Sequence, residues 1–313
     1  MKIRFVSTAI AGILAPLIFA ACNDSTAPAP PLVWTSVASG TTGDLDAVWG
    51  TSASDIWVVG YQTILHFNGG SWSPTTAATG RSLYGVWGSS ASDVWAVGYE
   101  GPGNPIILHY TGATWSVTPS PAADILIGVW GSSPSSVWAV DIGGAIIHYN
   151  GTSWSSIPSG TQRLNAVWGS SATDVWAVGS SRILHYDGTS WSQAVTTGNE
   201  VSGIWGTSRS DVWAVGSSRI LHYDGTGWSN PSTPTAFPDY ALGVWSTSPR
   251  DVWVVGGSGT LCCTGTAVHY DGTAWSDVLV GAPLIFNSVW GSAASDVWIV
   301  GDGGIMLHGA PAH

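Results

Sequence analysis

After Lys2 the chain contains no lysine at all, and from residue 22 onward six arginines stand against nineteen acidic residues, a formal charge of −13. Such a surface repels phosphate backbones and anionic headgroups, which argues against nucleic acid as the main partner. Cysteine is nearly as scarce: Cys22, Cys262 and Cys263 are the whole supply. No disulfide framework can be built from them, so the fold must rest on its core. Long apolar runs are missing too, apart from one within the first 21 residues. Charged residues make up only 9% of the chain while glycine reaches 41, a balance suited to short strands separated by tight turns.

That one apolar run belongs to residues 1–21, MKIRFVSTAIAGILAPLIFAA, where Lys2 and Arg4 precede it and small residues follow. The pattern is that of a secretion signal and is too short and interrupted for a membrane span. Ile18-Phe19-Ala20-Ala21-Cys22 resembles a bacterial lipobox, although Phe19 stands where leucine is usual. The resemblance implies a lipidated Cys22 as the mature first residue, and Asn23 after it implies sorting onward to an outer membrane. Ordinary cleavage nearby, with Cys22 a free thiol, is the alternative. Residues 22–31 then form a Pro/Ala-rich tether, expected to stay extended, and the protein is expected to be exported and lipid-anchored to the bacterial cell envelope, touching the membrane through that anchor alone.

What is abundant is tryptophan, 21 residues, and every one falls on a grid. The stretch Leu164 to Ser192, LNAVWGSSATDVWAVGSSRILHYDGTSWS, recurs from about residue 32 to the end. A VWG-type tryptophan stands at 49, 87, 130, 168, 205, 245 and 290, and a DVW-type tryptophan eight residues after each. A histidine closes the third segment at His66, His109, His148, His185, His222, His269 and His308. Seven copies predict an all-β, seven-bladed β-propeller spanning residues 32–313, with four strands a to d in each blade. A third tryptophan follows six of the histidines but not His308. Trp34 supplies it, because it precedes Trp49 by the same spacing that separates Trp72 from Trp87. Residues 32–38 are therefore expected to be the outer strand of the last blade, closing the ring. An aspartate begins strand b in six blades and Ser136 replaces it in the third. Such a side chain is expected to accept backbone N–H groups of the turn.

The VWAVG…HYDGTSW pattern resembles the kelch repeat, with one glycine where kelch has two, and the DGTSW turn resembles the Asp-box of sialidase-like propellers, one residue short in spacing. These resemblances cover residues 32–308 and imply architecture. Propellers of both kinds include enzymes, lectins and protein-binding scaffolds, so the fold leaves activity open.

Residues fixed by the repeat are structural by default, and departures from it are the candidates. The strand-c histidines, one per blade, are spread around the ring, so no metal and no cofactor is expected. Chain-length variation occurs only between b and c (Tyr99–Pro105, Gly257–Thr266) and between d and a (Asn230–Tyr240). Both connections open on one face, which is where variable binding loops gather. Asp46, Tyr84, Tyr99, Glu100, Asn165, Glu200, Tyr240 and Asn287 are the candidate ligand-binding residues there, suited to a glycan or a protein segment. Asp141 replaces the glycine that ends strand b elsewhere and is a lesser candidate for a polar or metal contact. Cys262 and Cys263, adjacent in the longest b–c insertion, are candidates for a vicinal disulfide, with two free thiols or pairing between molecules as alternatives. A monomeric binding scaffold is the favoured reading. The competing one is a polysaccharide-active glycoside hydrolase using acids such as Asp46 and Glu200, and a purely structural envelope protein is the third.

Overall fold

A computed structural model of the chain describes residues 32–101, 103–259 and 264–312. Its strands form seven antiparallel sheets of four, the expected blades, arranged as a ring with strand a innermost. Blade 4 shows the plan: a is Leu164–Ser171, b Asp174–Gly179, c Arg182–Tyr186 and d Trp191–Thr196. Blade 7 joins a (Phe286–Ala293), b (Asp296–Gly301) and c (Met306–Pro311) to Leu32–Ser36 as its strand d. Trp34 there pairs with Gly309 and Leu32 with Pro311, so the two ends of the described chain close the ring.

Register explains the tryptophan grid. Trp168 of strand a lies opposite Trp176 of strand b, and Trp176 lies opposite His185 of strand c, so the repeated aromatics form one row across the blade. The strand-b tryptophan is buried in every blade (Trp95 is 1% exposed) and stacks on its histidine, at 3.7 Å for Trp95 and His109. It also meets the strand-d tryptophan of the next blade nearly edge-on: Trp57 meets Trp115 at 5.4 Å, Trp138 meets Trp191 at 5.5 Å, and Trp253 meets Trp34 at 5.6 Å across the closure. Aromatic burial of this size, with favourable edge-to-face geometry, is what holds blade to blade.

On the inner side the VWG glycine has a different task. A Cβ on Gly169 would fall 2.7 Å from Trp130 of the preceding blade, and one on Gly50 2.7 Å from Trp290 across the closure. Six of the strand-a tryptophans thus press the outer edge of the indole onto the next blade's glycine. Blade 6 departs from this, with Ser246 in the glycine position. There Trp205 turns its indole N–H onto the Ser246 carbonyl at 3.1 Å, and the Ser246 hydroxyl is buried without a partner among the described residues.

The strand-b aspartates correct one expectation. Asp55 accepts from the Thr51 hydroxyl at 2.5 Å and pairs with His66 Nε2 at 2.7 Å. It joins strands a, b and c, while the turn N–H of Ser54 goes to Ser52 Oγ instead. In the DGTS turns, Asp187 Oδ1 accepts from the Thr189 N–H, the Thr189 hydroxyl and the Ser190 N–H. Gly188 sits at φ +95°, a conformation an L side chain resists. Those hydrogen bonds, from the Thr189 hydroxyl first, hold the Asp187 carboxyl down at about 2. The motif is accounted for as turn chemistry.

Candidate functional site

The seven a strands enclose a channel of about 320 Å³ along the ring axis. In every blade the a–b ladder skips one strand-a residue, as between Leu45 and Ala47 or Leu164 and Ala166, and this bulged residue, without a partner on strand b, stands at the mouth. That ring reads Asp46, Tyr84, Ile127, Asn165, Ser202, Leu242 and Asn287. Below it lie small and aliphatic residues, and the strand-a tryptophans follow. The b–c and d–a connections surround the same mouth: Tyr99, leaving strand b, stacks on Tyr84, entering strand a, at 5.9 Å and 21°.

Charge at the mouth is uneven. Around blades 1 and 7, Asp44, Asp46 and Asp302 come together. Burial first, then the charges of Asp44 and Asp302, push the Asp46 carboxyl up to about 7. Asp44 Oδ1 accepts the Gly303 N–H at 2.8 Å, and Asp302 accepts from the Asn287 amide at 2.9 Å. Tyr84 is pushed up to about 12 by burial, with Tyr99 and the Asp46 charge adding to it. On blades 4 and 5 a second group forms. Arg163 Nε donates to Asn165 Oδ1 at 2.7 Å, and Asn165 Nδ2 donates to Glu200 Oε1 at 3.0 Å and to the Val201 carbonyl. Arg163 also lies 3.5 Å from Glu200. Tyr240 joins this group across a side pocket of about 260 Å³ that shares Ile127, Asn165, Ser202 and Leu242 with the channel.

The eight candidates thus fall into two groups and a remainder. Asp46, Tyr84 and Tyr99 form one wall of the mouth, and Asn165, Glu200 and Tyr240 another. Asn287 serves as a structural tie between blades 7 and 1, donating to the Leu45 carbonyl at 3.1 Å as well as to Asp302. Glu100 is drawn off to Arg81, 3.2 Å away, at the end of an extended a–b pairing. Asp46 and Glu200 stand on blades 1 and 5 with two blades between them on the shorter arc, and Glu200 is committed to Arg163 and Asn165.

Asp141 does not reach the mouth. It is 1% exposed and its Oδ1 accepts the Ala145 N–H at 2.7 Å, tying down the b–c turn. Burial raises its pKa against that hydrogen bond. Among the described residues no group of three or more His, Cys, Asp or Glu is placed to hold a metal ion. Cys22, Cys262 and Cys263 lie outside the described residues. Tyr61, 53% exposed on the b–c turn of blade 1, is a further aromatic on this face. Its signal in the sequence was an aromatic directly after the glycine that ends strand b.

No protein-family model matches the chain, and no curated protein matches it. Solved structures do. The chain is similar to YCF48 bound to D1 peptide, at 20% identity over 92% of this chain and 100% of that one, with a TM-score of 0.70. YCF48 from Cyanidioschyzon merolae gives 17% identity over 88% and 98%, with a TM-score of 0.68. The WD40 β-propeller domain of Doa1 gives a TM-score of 0.74 at 12% identity, over 91% of this chain and 98% of that domain. Likeness at these identities establishes the seven-bladed propeller architecture.

Proposed function

We propose that the protein is an exported, lipid-anchored propeller that acts as a protein-binding scaffold on the cell envelope, taking an extended partner segment across the channel mouth. The observation that carries this is the mouth itself. It is a concave opening on the face to which every variable connection leads, and Tyr61 and Tyr240 are more than half exposed around it. Exposed tyrosines beside a polar rim are typical of surfaces that bind protein. The structural likeness to a propeller solved with a bound peptide supports the same reading. Anchoring rests on Cys22 at the end of the apolar leader.

Two experiments test the two halves. Cys22→Ser should move the protein from the membrane fraction to the soluble one, and retention in membranes would overturn the anchor. A photo-crosslinking residue at Tyr61 or Tyr240 should give a discrete adduct on intact cells, whereas the same residue at Thr189 or Thr226, on the opposite turns, should not. Equal labelling from both faces, or none from either, would overturn the mouth as the binding face.

A further inference from the structure

Two pockets far from the channel share one construction. The first, about 400 Å³, lies at the junction of blades 2 and 3 and is walled by Trp95, His109, Tyr149 and Trp154. The second, about 500 Å³, lies at the junction of blades 5 and 6 and is walled by the equivalent residues Trp213, His222, Tyr270 and Trp275. Both have the same cause. Strand d of blade 2 is only Trp115–Thr118 and that of blade 5 only Trp228–Ser229, against six residues in blade 4. The chain then leaves through Pro119 and Pro121, or through Pro231 and Pro234, which cannot donate to a sheet ladder. The flank that a longer outer strand would cover is therefore left open. Blade 1 also has a short strand d, Trp72–Pro74, but the turn after it inserts the fully buried Ala78.

The lining selects a ligand class. Trp95 and Trp213, 1% and 3% exposed and stacked on their histidines, close the floor. The open walls are the partly exposed ring of Tyr149, or those of Tyr270 and Trp275, with the flanking prolines, and the rim carries hydroxyls: Ser120 and Ser153 in the first pocket, Ser232 and Thr273 in the second. The only titratable wall group besides tyrosine is the histidine, and it is taken by its aspartate, at 2.6 Å for His109 and Asp93 and 2.8 Å for His222 and Asp211. A charged guest would have no counter-ion and would lose its hydration. A neutral ring with an apolar face for the tyrosine and proline surfaces and hydroxyls around its edge fits both requirements, and the volumes lie in the range of small-ligand sites.

We propose that these two blade-junction pockets bind neutral pyranose sugars, engaging a polysaccharide at two points on one molecule. Two weak sites on one rigid ring would gain strength by being linked through a common polymer. The proposal uses none of the residues of the channel mouth and stands or falls apart from the scaffold reading.

The test is titration of the protein with D-glucose, D-galactose, D-mannose and N-acetyl-D-glucosamine and their short β-linked oligomers. Binding is followed by intrinsic tryptophan fluorescence and calorimetry. Ser153→Trp and Ala274→Trp place a large side chain on the exposed rim of the first and second pocket, and an unchanged thermal melt confirms that each folds. At least one sugar should give saturable quenching with two sites per chain. Each single variant should lose one site, and the double variant should bind about tenfold more weakly or not at all. Asp46→Asn at the channel should leave the titration unchanged. No saturable binding across the panel, binding that survives the double variant, or binding abolished by Asp46→Asn would each overturn the proposal.

Discussion

His148 Nε2 lies 3.2 Å from the hydroxyl of Ser136, whereas each of the other six blades sets its histidine 2.6–2.8 Å from an aspartate. Blade 3 is thus a natural deletion of one carboxylate from a repeated network. Burial holds the His148 pKa below its ordinary value, so this histidine is kept neutral.

Restoring the missing acid should strengthen blade 3. Ser136→Asp is expected to raise the His148 pKa and to stabilise the ring by about 1–2 kcal/mol near pH 6, the scale of a charge-assisted hydrogen bond. NMR titration of His148 and denaturant melts check both, and an unchanged pKa would contradict the geometry.

Stability should fall with acid in two steps. A His148 depressed in the folded state binds its proton more readily when unfolded, so stability is lost as pH falls below about 6.5. The Asp174, Asp251 and Asp296 carboxyls are pushed up by burial, but hydrogen bonds from their histidines and hydroxyls outweigh that and leave them depressed. Their contribution is complete above the ordinary carboxylate value near 4 and is lost as pH falls through the depressed values. Thermal melts from pH 8 to 3 in an Asp46→Asn background, which removes the opposing gain that the raised Asp46 carboxyl gives as pH falls, should show the shallow step first and the steep one below about pH 4. His148→Asn should remove only the shallow step.

Ser246→Gly should stabilise the protein. It removes a buried hydroxyl without a partner, worth about 1–3 kcal/mol, at a backbone cost of about 0.5–1 kcal/mol. The net gain expected in denaturant melts is about 0.5–2 kcal/mol. It should also let Trp205 approach position 246 as closely as its counterparts approach their glycines, visible as a shift in indole chemical shift, and a net loss of stability would contradict the packing.

At the channel mouth, Asp46 keeps its proton to about pH 7 in the folded state. Its contribution is full below the ordinary carboxylate value and lost as pH rises through 7. Asp46→Asn should therefore stabilise the fold at pH 8 by about 1–2 kcal/mol, allowing for its partial exposure, and by clearly less at pH 5. Denaturant melts at the two pH values read the difference directly.

The tryptophan grid made the architecture legible in the sequence, down to Trp34 completing the last blade, because indoles on a fixed spacing demand one repeated burial site. The histidine–aspartate links were not legible. Asp55 and His66 are eleven residues apart, and only the register of strands b and c brings them face to face. The mouth was half legible. Tyr84 and Tyr99 do meet, but Glu100 is lost to Arg81 because the a–b pairing of blade 2 runs longer than the repeat, and Asp141 turns inward onto its own turn. The side pockets were not legible, since they depend on where strand d stops, which no repeated residue marks.

The strand at Leu32–Ser36 has a consequence for timing. Thr35 donates to the His308 carbonyl, 273 residues along the chain, so the first strand made has no partner until almost the last is available. Such long-range pairing is slow to form. Until then blades 6 and 7 lack their outermost aromatic clamp, Trp34 on Trp253, and the ring remains an open arc. A chain built this way commits to its closed form late, and it stays threadable for as long as its own beginning and end are kept apart.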